Sequence, residues 1–220
     1  MKCRFAVIDR RVLLFVECVV CFFICPAALY FVRHWFAWRI TPIVLALSLL
    51  CFVSLVLDKG FDRSRLWGLR QLKTHVKGIL IAFIGPAALL GVFTYLFFRT
   101  HFLYFISAEP RLWFVFVLFY PLLACYPQEV LFRAFFFHRY GPLFGRVPVM
   151  IVLSGLSFGM AHLFYNNPFA PVLSTFGGML FAYRYARSGT LVASAIEHGL
   201  WGNFLFTIGM GWFFYSGSIR

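Results

Sequence analysis

Read for the spacing of apolar and polar positions, the chain falls into long apolar runs separated by short polar connections. The runs lie at about 12–33, 40–57, 78–98, 112–137, 147–165, 168–187 and 190–215. They approach the roughly 20 helical residues that cross a hydrocarbon core, and they are continuous where a β-barrel strand would alternate. Backbone groups left unpaired in lipid are too costly for any looser structure, so helices are predicted throughout. The expected fold class is all-α, a multi-pass transmembrane helical bundle of about seven helices with room for an eighth. Residues 1–220 read as one integral membrane domain.

Composition agrees, because a chain that is 62% hydrophobic and 12% charged lacks the polar skin of a soluble globule. The net charge of +13 raises the question of a nucleic-acid partner, and its distribution argues against one. Lys2, Arg4, Arg10 and Arg11 precede the first run, and Lys59, Arg63, Arg65, Arg70, Lys73 and Lys77 fill the second connection. Arg139, Arg146, Arg184 and Arg187 fall in the fourth and sixth, so basic residues gather in alternate loops. By the positive-inside rule the amino terminus is cytoplasmic, in a cell (inner) membrane, and seven spans leave Arg220 outside. The first run exceeds the apolar core of a cleavable signal peptide and is expected to be retained. Cys18, Cys21 and Cys25 have a spacing that metal sites use, but they lie inside a predicted membrane helix and read as packing residues.

An ionisable group at membrane depth is a functional candidate by default. Glu17, Glu129, Arg133, His162, Glu197 and His198 are placed in this way. Glu129 and Arg133 stand at i and i+4 in PQEVLFR and share one helix face. Two histidines with a carboxylate form a common zinc shell with an open position for water. His162 in FGMAH and His198 in EHGLWGN supply imidazoles from separate helices, with Glu129 as base or third ligand. Glu197 is a candidate partner behind the ligands or a packing residue, and Glu17 reads as structural. Gly155, Gly159 and His162 share a face on which another helix can approach closely.

At these residues the chain resembles the CAAX-protease and bacteriocin-processing (CPBP or Abi) family of intramembrane metalloproteases. That family carries EExxxR, FxxxH and HxxxN on successive helices, here Gln128-Glu129 to Arg133, Phe158 to His162, and His198 to Asn203, within a catalytic core over about 115–210. The resemblance implies a metal-dependent endopeptidase in which the glutamates and histidines hold a divalent metal, zinc by default, or activate its water. By the same resemblance the arginine orients a glutamate and Asn203 helps stabilise the oxyanion. The expected substrate is a membrane-associated protein or peptide, and the bilayer is the other partner.

Two departures stand out. Gln128 occupies the leading glutamate position. Either Glu129 takes over water activation with Gln128 as a neutral hydrogen-bond partner, or the scaffold persists without hydrolysis. Asn203 follows His198 by five residues, which on a regular helix rotates it roughly 140° away, whereas four residues give roughly 40° and fall on Gly202. A π-bulge there would restore the register. Depth counted at a rise of about 1.5 Å per residue puts Glu129 and His198 roughly 14 Å from the cytoplasmic ends of their spans and His162 roughly 24 Å, so the fifth helix is expected to protrude or tilt. Three other classes remain open: an inactive family member acting as a membrane binding partner, a proton-coupled transporter, and a bis-histidine haem bundle.

Overall fold

The computed structural model of the chain describes residues 9–215, without the side chains of Arg70 and Gln71. The expectations that rest on Lys2, Arg4 and Arg220 lie outside the described residues. Seven long helices run in chain order: α1 Arg10–Phe31, α2 Ile40–Leu57, α3 Leu69–Phe97, α4 Pro110–Phe144, α5 Val147–His162, α6 Phe169–Ser188 and α7 Leu191–Ile208. Short helical turns at Arg33–Phe36, Ser64–Trp67, Tyr104–Ala108 and Met210–Phe214 fill the connections. Among the described residues there is no strand, and the protein is a multi-pass helical bundle.

Among the described residues five helices are long and apolar enough to cross a membrane: α1, α2, the Leu72–Phe97 part of α3, α4, and Val147–Tyr165, which begins with α5. Helices α6 and α7, also expected as spans, fall outside that set. Arg184 and Arg187 interrupt α6, and Glu197, His198 and Asn203 interrupt α7. These polar groups are tolerated because α7 is the inner helix, packed against α3, α4 and α6, whereas α1 to α4 expose Phe31, Leu50, Ile81 and Leu122 to their surroundings.

The turn between α6 and α7 is tight. Gly189 adopts φ 67°, a left-handed conformation that glycine accepts without a Cβ clash. The Thr190 side chain then caps α7 by accepting from the Val192 amide at 3.3 Å. At the other end of α6, Asn167 accepts from the Ala170 amide at 2.9 Å and donates to the Phe213 carbonyl at 2.8 Å.

Helices α5 and α6 meet along the small-residue face expected beside His162. A Cβ at Gly159 would fall 2.8 Å from the Pro171 carbonyl oxygen and onto the Thr175 hydroxyl, and one at Gly155 would fall 2.8 Å from the Met179 amide. Gly178 completes the contact from α6, since a Cβ there would lie 3.0 Å from the Gly155 Cα.

Ionic contacts join neighbouring helices. Arg184 of α6 donates twice to Glu197 of α7, at 2.8 and 2.9 Å. Arg184 was expected in a cytoplasmic connection, but it is 6% exposed and lies within the helix pair. Glu197 needs a cation more than the loop does, because a buried carboxylate without one is costly. Arg139 of α4 makes a similar fork on Glu17 of α1, at 3.0 and 2.7 Å, and the Tyr140 hydroxyl adds a bond of 2.9 Å. At the end of α2, Asp58 accepts from His138 at 2.8 Å and from the Gly60 amide at 2.7 Å, and these contacts, the histidine first, hold its carboxyl below its ordinary range.

Helix α4 is regular only in parts. Wide π turns occupy Pro121–Cys125 and Val130–Phe135, and a single α turn, Tyr126–Glu129, lies between them. Pro121 and Pro127 lack an amide hydrogen, which breaks the ordinary i to i−4 ladder and favours such widening.

Gly159→Leu is expected to wedge α5 from α6 and cost about 2 kcal/mol or more, read as a lower midpoint of thermal unfolding in detergent micelles. Arg184→Met is expected to destabilise by about 3–5 kcal/mol, because it strands the Glu197 carboxylate. The double variant Arg184→Met with Glu197→Met is expected to recover most of that loss in the same melting experiment.

Candidate functional site

The site forms where α4, α5 and α7 converge. Glu129 reaches it from the α turn between the two π segments of α4, and it is completely buried. Its Oε1 pairs with His198 Nδ1 at 3.0 Å, and its Oε2 lies 3.2 Å from Arg133 Nε, so one carboxylate joins two helices. Arg133 is itself fully buried and donates from Nη1 to the Ser154 hydroxyl at 3.2 Å. Ser154 in turn donates to the Phe132 carbonyl at 2.8 Å. The guanidinium also lies over the Phe158 ring, 4.8 Å from its centroid.

The two histidines meet across aromatic rings. His162 is the last residue of α5, where helix carbonyls face outward and favour positive charge. Its Nδ1 lies 2.8 Å from the Phe158 carbonyl oxygen. A carbonyl only accepts, so Nδ1 carries the hydrogen and Nε2 keeps its lone pair. The same reasoning applies to His198, whose Nδ1 faces the Glu129 carboxylate. Phe158 contacts both imidazoles, with centroids 4.6 Å from His162 and 5.4 Å from His198, and Phe181 stacks on His198 at 4.6 Å.

Both histidines line one cavity of about 770 Å³. Its walls come mainly from α3, α6 and α7, and they are almost wholly apolar. Leu89 and Phe176, on α3 and α6, both line it while being 73% and 68% exposed, so it opens between those helices on the outer face of the bundle.

Two of the three expected ligands, His162 and His198, face the same cavity. Each imidazole has its Nδ1 committed and its Nε2 lone pair unused by these bonds, the arrangement metal-binding histidines adopt when a carboxylate or carbonyl holds the other nitrogen. Among the described residues no group of three or more His, Cys, Asp or Glu is gathered in metal-holding geometry. Glu129 stands behind His198 and does not sit beside it, because Arg133 and His198 claim its two oxygens.

Three other expectations take a different form. Glu197 is turned from His198 and gives both oxygens to Arg184, so it clamps helices. Asn203 donates to the Val117 carbonyl of α4 at 3.0 Å, and helix α7 stays α-helical through it. The rotation of roughly 140° therefore stands, and Asn203 faces α4 while Gly202 faces the cavity. The π turns appear instead in α4, on either side of Glu129. Gln128 lies next to Glu129 with a buried Oε1 that has no hydrogen bond within the protein, and among the described residues neither Gln128 nor Glu129 lines the cavity.

The sequence reading did not single out Ser154, Phe181 or Tyr120. A signal existed for Arg184: Glu197 requires a cation, and Arg184 is a basic residue on the adjoining helix, one turn from its end.

No curated protein and no solved structure matches the chain. A protein-family model does. Residues 110–205, the segment carrying Gln128, Glu129, Arg133, His162, His198 and Asn203, match the family described as Type II CAAX prenyl endopeptidase Rce1-like, in agreement with the resemblance read from the three motifs.

Proposed function

We propose that the protein is an intramembrane metalloendopeptidase that cleaves near the prenylated carboxy terminus of a membrane-associated protein or peptide. The observation that carries this reading is that His162 and His198 line one cavity with their Nδ1 atoms committed, while Glu129 fixes His198 from behind. The family match supports a CAAX-type protease, and the apolar cavity supports a substrate with a long hydrocarbon group.

In this reading His162 and His198 would hold a divalent cation, for which zinc suits the imidazole donors. Such an ion, when bound, polarises a carbonyl and makes water a stronger nucleophile near neutral pH. The chain supplies the remaining functions. Glu129 keeps His198 in the Nδ1–H tautomer and fixes the ring's orientation toward the cavity, a positioning role. Arg133, held by Ser154, orients the Glu129 carboxylate. The Phe158 and Phe181 rings exclude solvent from the histidines, which strengthens each charge acting on the reacting bond.

A second reading has one observation in its favour. Gln128 cannot take a proton, and both Glu129 oxygens are already engaged, as in a scaffold that binds its partner without hydrolysis. The amino terminus is taken as cytoplasmic on the charge pattern of the connections.

The test uses the purified protein in proteoliposomes with a farnesylated CAAX peptide. About one zinc per chain is expected, lost in His162→Ala and in His198→Ala. Cleavage is expected to stop with a chelator and to fall by roughly 10- to 100-fold in Glu129→Gln, the range for loss of a carboxylate that orients a ligand histidine. Peptide binding without cleavage in the wild type, with activity appearing in Gln128→Glu, would establish the inactive scaffold instead.

A further inference from the structure

The cavity holds few hydrogen-bond donors besides the two histidines: the hydroxyls of Tyr120 and Ser174 and the indole of Trp201. Ser174 belongs to the α6 wall. Trp201 packs its ring against Phe83 of α3, with centroids 4.9 Å apart. Tyr120 is placed differently. It leaves α4 just before the first π turn and crosses to α7, between Phe116, stacked at 4.7 Å, and Phe206, at 5.6 Å.

Its ring ends over Gly202. A Cβ built on Gly202 would lie 2.6 Å from the Tyr120 hydroxyl oxygen and 2.8 Å from its Cζ, and it would collide with Cε1. The phenol thus occupies the volume that a side chain at position 202 would take. Gly202 stands four residues after His198, and residues so spaced are neighbours on one helix face, with Cβ positions about 5–6 Å apart. The glycine makes the space and the tyrosine fills it with an O–H group, one turn from an imidazole of the site.

We propose that Tyr120 is a catalytic residue that donates its phenolic hydrogen to the oxyanion formed during peptide cleavage, an assignment that rests on the protease reading above. In that step the water oxygen bonds to the carbonyl carbon, and the C=O π pair moves onto the carbonyl oxygen. The proton released by water ends on the amide nitrogen as the C–N bond breaks, so the products are a carboxylate and an amine. Tyr120 keeps its own proton throughout and only donates a hydrogen bond. Its resting neighbour is the Cys125 thiol, a weak acceptor that an oxyanion readily displaces. The aromatic stack holds the ring in place before the reaction, so little reorganisation is needed when charge develops. Asn203, turned toward Val117, does not compete for this role.

The experiment compares wild type, Tyr120→Phe, Cys125→Ala, Tyr120→Ala and the double variant Tyr120→Ala with Gly202→Asn on the farnesylated CAAX peptide. Tyr120→Phe is expected to lower kcat by roughly 10²- to 10³-fold, the loss typical of one oxyanion donor, with KM changed by less than about threefold. Cys125→Ala is expected to keep wild-type kcat. The double variant, with an amide donor in the vacated space, is expected to exceed Tyr120→Ala at least tenfold. Affinity gives a second readout: a farnesylated peptide aldehyde, whose hydrate mimics the tetrahedral species, is expected to bind Tyr120→Phe roughly 10²-fold less tightly, while the matching alcohol is unaffected. An unchanged kcat in Tyr120→Phe, a loss confined to KM, or an equal loss in Cys125→Ala would overturn the assignment while leaving the protease reading intact. A wild type that binds the peptide and never cleaves it would overturn the protease reading, and this one with it.

Discussion

A charge removed from water must be met by another charge, and most of the polar architecture of this bundle follows from that constraint. Glu129 and Arg133 are both fully buried, 3.2 Å apart, on one helix. Neither is tolerable alone in an apolar interior, and their mutual attraction does not satisfy all their hydrogen-bonding capacity. The surplus recruits neighbours: His198 from α7 binds one carboxylate oxygen, and Ser154 from α5 binds one guanidinium nitrogen. One ion pair thereby ties three helices together and orients a histidine. Arg184 with Glu197 repeats the principle between α6 and α7, and Arg139 with Glu17 does so between α4 and α1.

These pairings require close backbones, and small residues supply them. Gly155 and Gly159 let α6 approach α5 beside His162, as expected where packing has little help from the hydrophobic effect. Gly199 and Gly202 do the same for α4 against α7, where Pro121 and Tyr120 press on the helix. The π turns on both sides of Glu129 complete the arrangement. Such turns are frequent at functional sites because they re-aim side chains without ending the helix. Here they place Glu129 opposite His198 and carry Tyr120 over Gly202.

The resulting site is a small polar assembly at one end of a large apolar cavity. Phe158 is the element shared by its parts: it touches both histidines, underlies the Arg133 guanidinium and forms part of the cavity wall. On the proposed function, an apolar tail held in the cavity would bring a nearby peptide bond against the histidines. In the proposed reading, the opening between α3 and α6 is where a substrate would arrive from the bilayer.

Much of this was legible along the chain, because the strongest signals are local. Continuous apolar runs imply helices wherever lipid is the solvent, and ionisable groups inside those runs marked Glu129, Arg133, His162 and His198 before any contact was known. The i, i+4 spacing of Glu129 and Arg133, and the shared face of Gly155, Gly159 and His162, are consequences of helix period alone. The tertiary structure decided what period cannot reach. Arg184 counts as a loop charge by position and becomes a buried partner only because Glu197 lies on the next helix. Asn203 keeps the angle that arithmetic gives it, and its partner, Val117, is 86 residues away. Tyr120 bears no sequence relation to His198, and only the packing of α4 on α7 sets its hydroxyl beside Gly202. Local rules determine which face of a helix a residue occupies; which helix meets that face is settled when buried charges and close-packed volumes across the whole chain are satisfied together.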